Sequence, residues 1–216
     1  MHDNTRQTAG RRGRRCLAAA ATLALLVPAA AMAQSGGISG SGGTGGSGGG
    51  DNPGDNPNIP GTACYTNLSY PRIIEKNKAC APKTAPKKVS DVIQAGNAIR
   101  NIKYKYGGGH DWNWDWSKAK KGLDCSGTVS WALHAWGETG WLTYPQPSGW
   151  FTNWKEPGKG QWITTFAHGG HMFLRIGQPG QPKIRLDTSG TGGNGPSWST
   201  QMRSGSGFTQ RHPDGL

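Results

Sequence analysis

Asp124-Cys125-Ser126-Gly127 stands directly before the apolar run Val129 to Trp136, and this junction restricts the chain more than any other stretch. Val129, Ala132, Leu133 and Trp136 recur at helical spacing, so the run reads as a helix that buries one face while its N-terminus opens on a cleft. A cysteine at that terminus meets the positive end of the helix and backbone N–H groups that have no intrahelical partner. That setting favours the thiolate, the nucleophilic form of the side chain. Gly127 leaves room for another backbone, or a substrate, to come close. The same stretch also reads as a buried structural cysteine, because free Cys packs as a small hydrophobe.

The other cysteines bear on that choice, and they depend on the compartment. Residues 1–33 read as a signal peptide: Arg11, Arg12, Arg14 and Arg15 make a basic n-region, Cys16 to Ala30 an apolar h-region, and Ala31-Met32-Ala33 a cleavage site. Arg14-Arg15 also suits twin-arginine export. The apolar run falls short of the roughly 20 residues a membrane span needs, so no stable membrane insertion is expected once the leader is removed. An uncleaved N-terminal anchor is the other reading. Export to the periplasm, cell wall or exterior follows, and with it an oxidising environment. Loss of Cys16 leaves Cys64, Cys80 and Cys125, an odd count that leaves one thiol spare. A Cys64–Cys80 disulfide would close a loop of about 15 residues, for roughly 3 kcal/mol by loop entropy. The other pairings remain open at this level. With Cys64 and Cys80 joined, Cys125 is the free thiol.

Residues 34–61 are rich in Gly and Ser, then in Asn, Pro and Asp, and read as a flexible tether. Residues 62–216 have the size of one domain and hold all ten tryptophans. Removing the leader's five arginines and Asp3 takes the formal charge from +12 to +8. A basic exported chain suits anionic cell-envelope polymers. No run of Lys and Arg interleaves with stacking residues, which argues against nucleic acid.

Within the domain, Ser90 is the expected N-cap of a helix to about Ile102, with Val92, Ala95, Ile99 and Ile102 as its buried stripe. Trp112, Trp114 and Trp116 alternate along a loop before the cysteine; they read as a strand face, a sugar-stacking platform, or a cover for the core. Residues 161–167, 171–176 and 183–187 read as three strands, with Pro179-Gly180 at the turn between the last two. Phe208 marks a final short strand, and Trp198 an anchor for the Gly/Ser-rich tail.

A thiol nucleophile needs a base to take its proton and return it to the leaving group. Among His110, His134, His168, His171 and His212, His171 is the best placed, since it opens a strand straight after Gly169-Gly170. A turn centred on Pro179-Gly180 brings Asp187 to within a residue of lying opposite His171. A one-residue slip turns a side chain to the other face. The candidate catalytic set is Cys125, His171 and Asp187, with Arg185 as a competing partner for Asp187. His168-x-x-His171 with Cys125 is a poor zinc set, because adjacent strand and glycine positions do not hold both rings on one face. No metal or cofactor is expected.

In order and local context, residues 90–190 resemble the NlpC family of cell-wall cysteine peptidases. Tyr104-Lys105-Tyr106-Gly107-Gly108, Asp124-Cys125-Ser126-Gly127, Gly170-His171 and Asp187 match that family's motifs. The resemblance implies an α+β, papain-like fold, with the cysteine at the N-terminus of a helix packed on an antiparallel sheet. It implies hydrolysis of an amide in peptidoglycan stem peptides, typically between γ-D-glutamate and a diamino acid. Tyr104 matches a tyrosine beside the nucleophile, and Asp124 and Ser126 match positions that help hold the substrate. The chain departs from the family in having Asp at the third position, usually His, Asn or Gln, and in the Trp-rich insertion before Asp124. An amidase or acyltransferase with the same triad, and a non-catalytic cell-wall binding module, are the competing expectations.

Overall fold

The computed structural model describes residues 56–60, 63–188 and 195–216. The leader and most of the tether lie outside the described residues. The described end of the tether is packed: Ile59 is buried, and the Asn56 amide nitrogen donates to the Gln94 side chain at 3.1 Å. Packed structure therefore extends to Asn56, ahead of the expected start at residue 62, because Asn56 and Ile59 supply the polar and apolar contacts a tether lacks.

The architecture is mixed α+β. Three short strands come first, β1 (Tyr65–Thr66), β2 (Arg72–Ile74) and β3 (Lys78–Pro82), in the spatial order β1-β3-β2. Cys64 and Cys80 form a disulfide across this layer, with Cα atoms 4.4 Å apart. Helix α1 (Lys87–Ile99) follows. It starts three residues before the expected Ser90, and its first turn hangs on the Pro86 carbonyl, which accepts from Val89 and Ser90. Proline suits the start of a helix because no intrahelical partner is needed there. Ser90 is thus an interior, buried residue and not a cap; Val92, Ala95 and Ile99 are buried as expected, but the helix ends at Ile99 and Ile102 lies beyond it, only partly buried. Asn97 binds both the N–H and the C=O of Ala79, tying α1 to β3.

The Trp-rich insertion is no strand. It holds the short helix α2 (Trp116–Ala119), capped by Asp115. Trp114 and Trp116 pack on the core, whereas Trp112 is largely exposed. Trp114 stacks flat on His134 with ring centroids 3.7 Å apart and donates from Nε1 to the Thr143 carbonyl. Burial lowers the His134 pKa from 6.5 to about 4, so this imidazole is a neutral packing surface.

Helix α3 (Cys125–His134) is buried from Ser126 to Leu133, on every side and not on one face. A helix closed in all round belongs at the centre of a fold. On one side lies α1, and on the other an antiparallel sheet of β4 (Glu156–Pro157), β5 (Ile163–His168), β6 (His171–Ile176), β7 (Ile184–Thr188), β8 (Pro196–Ser199) and β9 (Thr209–His212). Among the described residues the strand order is β4-β9-β5-β6-β7-β8. The three expected strands are β5, β6 and β7: β6 has the expected ends, while β5 and β7 are displaced by one or two residues; β8, carrying buried Trp198, was hidden in the Gly/Ser-rich tail.

Helix α3 starts where it does because two backbones touch. A Cβ on Gly127 would meet the Gly108 carbonyl oxygen at 2.2 Å, so the backbone of the Gly-Gly turn can lie against the helix start only with glycine at 127. Gly127→Ala should therefore lower stability by about 1–3 kcal/mol, the usual range for overpacking. Gly149→Ala, whose nearest neighbour would be 3.9 Å away, should stay within about 0.5 kcal/mol of the parent in the same urea titrations. Equal stability of Gly127→Ala and the parent would refute the close contact.

Candidate active site

Cys125 is the first residue of α3 and a free, half-buried thiol. It stands on the wall of a cleft of about 310 Å³, together with Tyr106, His110, Ser126, Ser148 and Gly170. Three hydrogen bonds shape the far wall. Gln146 and Ser130 bind one another reciprocally, and Ser148 Oγ donates to the Gly169 carbonyl at 3.3 Å, joining that loop to the β5–β6 turn.

Asp124 caps α3, accepting from the Gly127 N–H at 2.7 Å. Its carboxylate also accepts from the Gly107 N–H at 3.1 Å, from Ser126 Oγ at 3.1 Å, and lies 3.0 Å from His110 Nε2. Burial opposes ionisation here, but the bonds from His110, Gly127 and Ser126 outweigh it and hold the carboxyl below its ordinary 3.8. The sequence pointed to Asp124 and Ser126 as substrate-holding residues. Both are at the cleft, but the Asp124 carboxylate is already engaged by four donor groups of its own chain, so a substrate would compete with His110 for it. His110 had no assigned role in the sequence; it follows a glycine run that carries no periodic signal.

Tyr104 runs beside the start of α3 through a parallel bridge to Leu123. Burial first, then the neighbouring Cys125 and Asp124, push its hydroxyl pKa above the usual 10. Its place next to Cys125 is as expected.

His171 opens β6, and its Nε2 lies 3.0 Å from Asp187 Oδ1. The strand register differs from the expectation. Leu174 pairs with Leu186, so one step further sets Asp187 against Phe173, not beside the His171 position. Phe173 and His171 share a face, and Asp187 reaches the imidazole as a diagonal neighbour on that face. The turn loops out one residue more than Pro179-Gly180 alone requires, and that extra residue puts the two side chains together. Asp187 is buried and doubly anchored, taking the Thr188 N–H at 2.8 Å on Oδ1 and Arg185 Nη1 at 2.8 Å on Oδ2. Arg185, the expected competitor, therefore binds Asp187 alongside His171 and does not displace it.

The Asp187 bond first, and the neighbouring Cys125 side chain second, raise the His171 pKa from 6.5 to about 9 against the opposing effect of burial. With Nε2 facing the carboxylate, Nδ1 is the nitrogen left for the sulfur. Burial works against the Asp187 charge, but the His171 bond and the charges of His171, Arg185 and Arg203 keep its carboxyl below 3.8. The three residues chosen from the sequence thus meet at one point, from α3, β6 and β7.

Comparison of the chain with protein-family models, with curated proteins and with solved structures finds no match.

Asp187→Asn removes the largest influence on the imidazole, so the His171 pKa should fall from about 9 toward 6.5 in an NMR titration. A folded pKa above the unfolded one contributes stability that is full below about pH 6.5 and lost as pH rises through about 9. The parent should accordingly lose urea resistance across that window, and the Asn variant should lose much less. An unchanged His171 titration in the variant would contradict the assignment.

Proposed function

We propose that this chain is an exported cysteine peptidase with a papain-like catalytic domain that hydrolyses an amide bond in peptidoglycan stem peptides, of the γ-D-glutamyl–diamino acid type. One observation carries the reading: a free thiol at the N-terminus of a buried helix, on a cleft, with an imidazole between it and a buried carboxylate. The order of Tyr104, Cys125, His171 and Asp187 along the chain, which resembles the NlpC family, supplies the substrate class. The mature charge of +8 suits an anionic wall.

In this mechanism His171 takes the Cys125 proton, and the sulfur attacks the amide carbonyl carbon to form a C–S bond. The carbonyl oxygen becomes an oxyanion that the first-turn N–H groups of α3 can hold. Those of Gly127 and Thr128 are bound to Asp124, which leaves the N–H groups of Cys125 and Ser126 for the task. Collapse breaks the C–N bond, and the imidazolium protonates the leaving amine. Water then gives a proton to His171 and attacks the thioester, releasing the carboxylic acid and restoring the thiol. Asp187 keeps the ring oriented and stabilises its charged form throughout.

The test is digestion of purified sacculi followed by mass spectrometry. The parent should release stem-peptide fragments whose masses locate the cut. Cys125→Ala should release them at least about a thousandfold more slowly, as expected when a nucleophile is removed. Undiminished release by Cys125→Ala would end the proposal. Pelleting of the parent with sacculi without any fragments would favour a binding module, and products joined to a new amine would favour acyl transfer.

A further inference from the structure

Arg203 lies on the segment between β8 and β9 and reaches back to the candidate base. Its Nη1 is 2.7 Å from His171 Nε2 and donates to Asp187 Oδ2 at 3.1 Å. Asp187 Oδ1 lies 3.0 Å from the same Nε2. A ring nitrogen either donates a proton or accepts one; it cannot do both at once. With a proton on Nε2, Asp187 accepts it and Nδ1 keeps a lone pair for the thiol proton. With Nε2 bare, Arg203 donates to it, the ring proton sits on Nδ1, and the ring has no lone pair to offer the sulfur.

We infer that Arg203 is a positioning residue that competes with Asp187 for Nε2 and so sets the tautomer and the proton affinity of His171, a role that rests on reading His171 as the base. Arg203 is not needed to neutralise the carboxylate, because Arg185 already binds the same Oδ2 at 2.8 Å. What Arg203 adds is the contact with the ring. It is also the more accessible partner, with its side chain 43% exposed against 17% for Arg185, so it can leave the ring without unpacking the sheet. The other groups around His171 are Cys125 from α3, Asp187 from β7, itself bound by Arg185, and His168 directly across on β5. His168 Nδ1 accepts from the Gly170 N–H at 3.0 Å, which fixes that ring locally. Phe208 supplies an apolar edge near the imidazole. Arg203 is therefore the cation in direct contact with the His171 ring among the described residues.

A titration of the ¹⁵N-histidine-labelled full chain reads both quantities without any hydrolysis. In the parent, the neutral ring should carry a measurable share of its proton on Nδ1. In Arg203→Met the neutral ring should move to the Nε2–H form, and its pKa should rise by about half a unit or more as a nearby cation is lost. Arg203→Lys restores the charge and a donor, and should return both readings toward the parent. The same pKa and the same tautomer in the parent and in Arg203→Met would overturn the role. A chain that shows the shift but does not cut peptidoglycan would support Arg203's competition with Asp187 and count only against the peptidase reading.

Discussion

The hydroxyls of Thr128 and Thr188 meet 2.7 Å apart inside the contact between α3 and β7, and both residues are fully buried. Thr128 lies one helical turn after Cys125, and Thr188 is the next residue after Asp187. This one bond therefore sets the spacing between the start of the helix and the end of the strand, where the Cys125 thiol and the Asp187 carboxylate stand. In a dry interior a hydroxyl without its partner costs about 1–3 kcal/mol, so sliding α3 along the sheet is expensive. The Gly108–Gly127 contact holds the same helix from the other side. Between them, the position of the thiol is dictated by packing and not by a mobile loop.

Two histidine–carboxylate pairs flank Cys125, and their surroundings separate their roles. Asp124 is enclosed by backbone N–H groups and Ser126, with His110 closing the cage; it caps the helix and shapes the cleft. Asp187 is enclosed by arginines and one backbone N–H, which leaves Oδ1 to orient His171. His171 has Cys125 among the groups that raise its proton affinity, and burial of the pair strengthens each interaction. One carboxylate builds the wall, and the other tunes the His171 imidazole.

Much of this was legible in the chain because the signals were local. Cys-Ser-Gly before an apolar run at helical spacing marks a helix start; β-branched and aromatic runs between Gly and Pro clusters mark β5, β6 and β7. Cys64 and Cys80 were the favoured pair because they are close in sequence, with other pairings open, and that disulfide is present. The errors arose where a local signal left a choice. Ser90 is a good capping residue, but Val89 belongs to the buried stripe, and burying it draws the helix start back to Pro86. Pro179-Gly180 marks a turn, yet it does not say which residue beside the turn is looped out. Gly177, with φ 137°, absorbs the extra one, which changes the register by a residue. His110 and Arg203 sit in stretches dominated by glycine and serine, and only the folded sheet and helix bring them to the site.

The central claim is that sulfur and imidazole share a proton across α3 and β6. The rate of Cys125 alkylation by iodoacetamide at pH 6, in the parent and in His171→Ala, tests it most directly. Transfer of the thiol proton to His171 predicts that the variant reacts at least about tenfold more slowly, since the thiolate is the reacting form. Equal rates in the two chains would contradict it, and the site would then be a cysteine and a histidine that are merely neighbours.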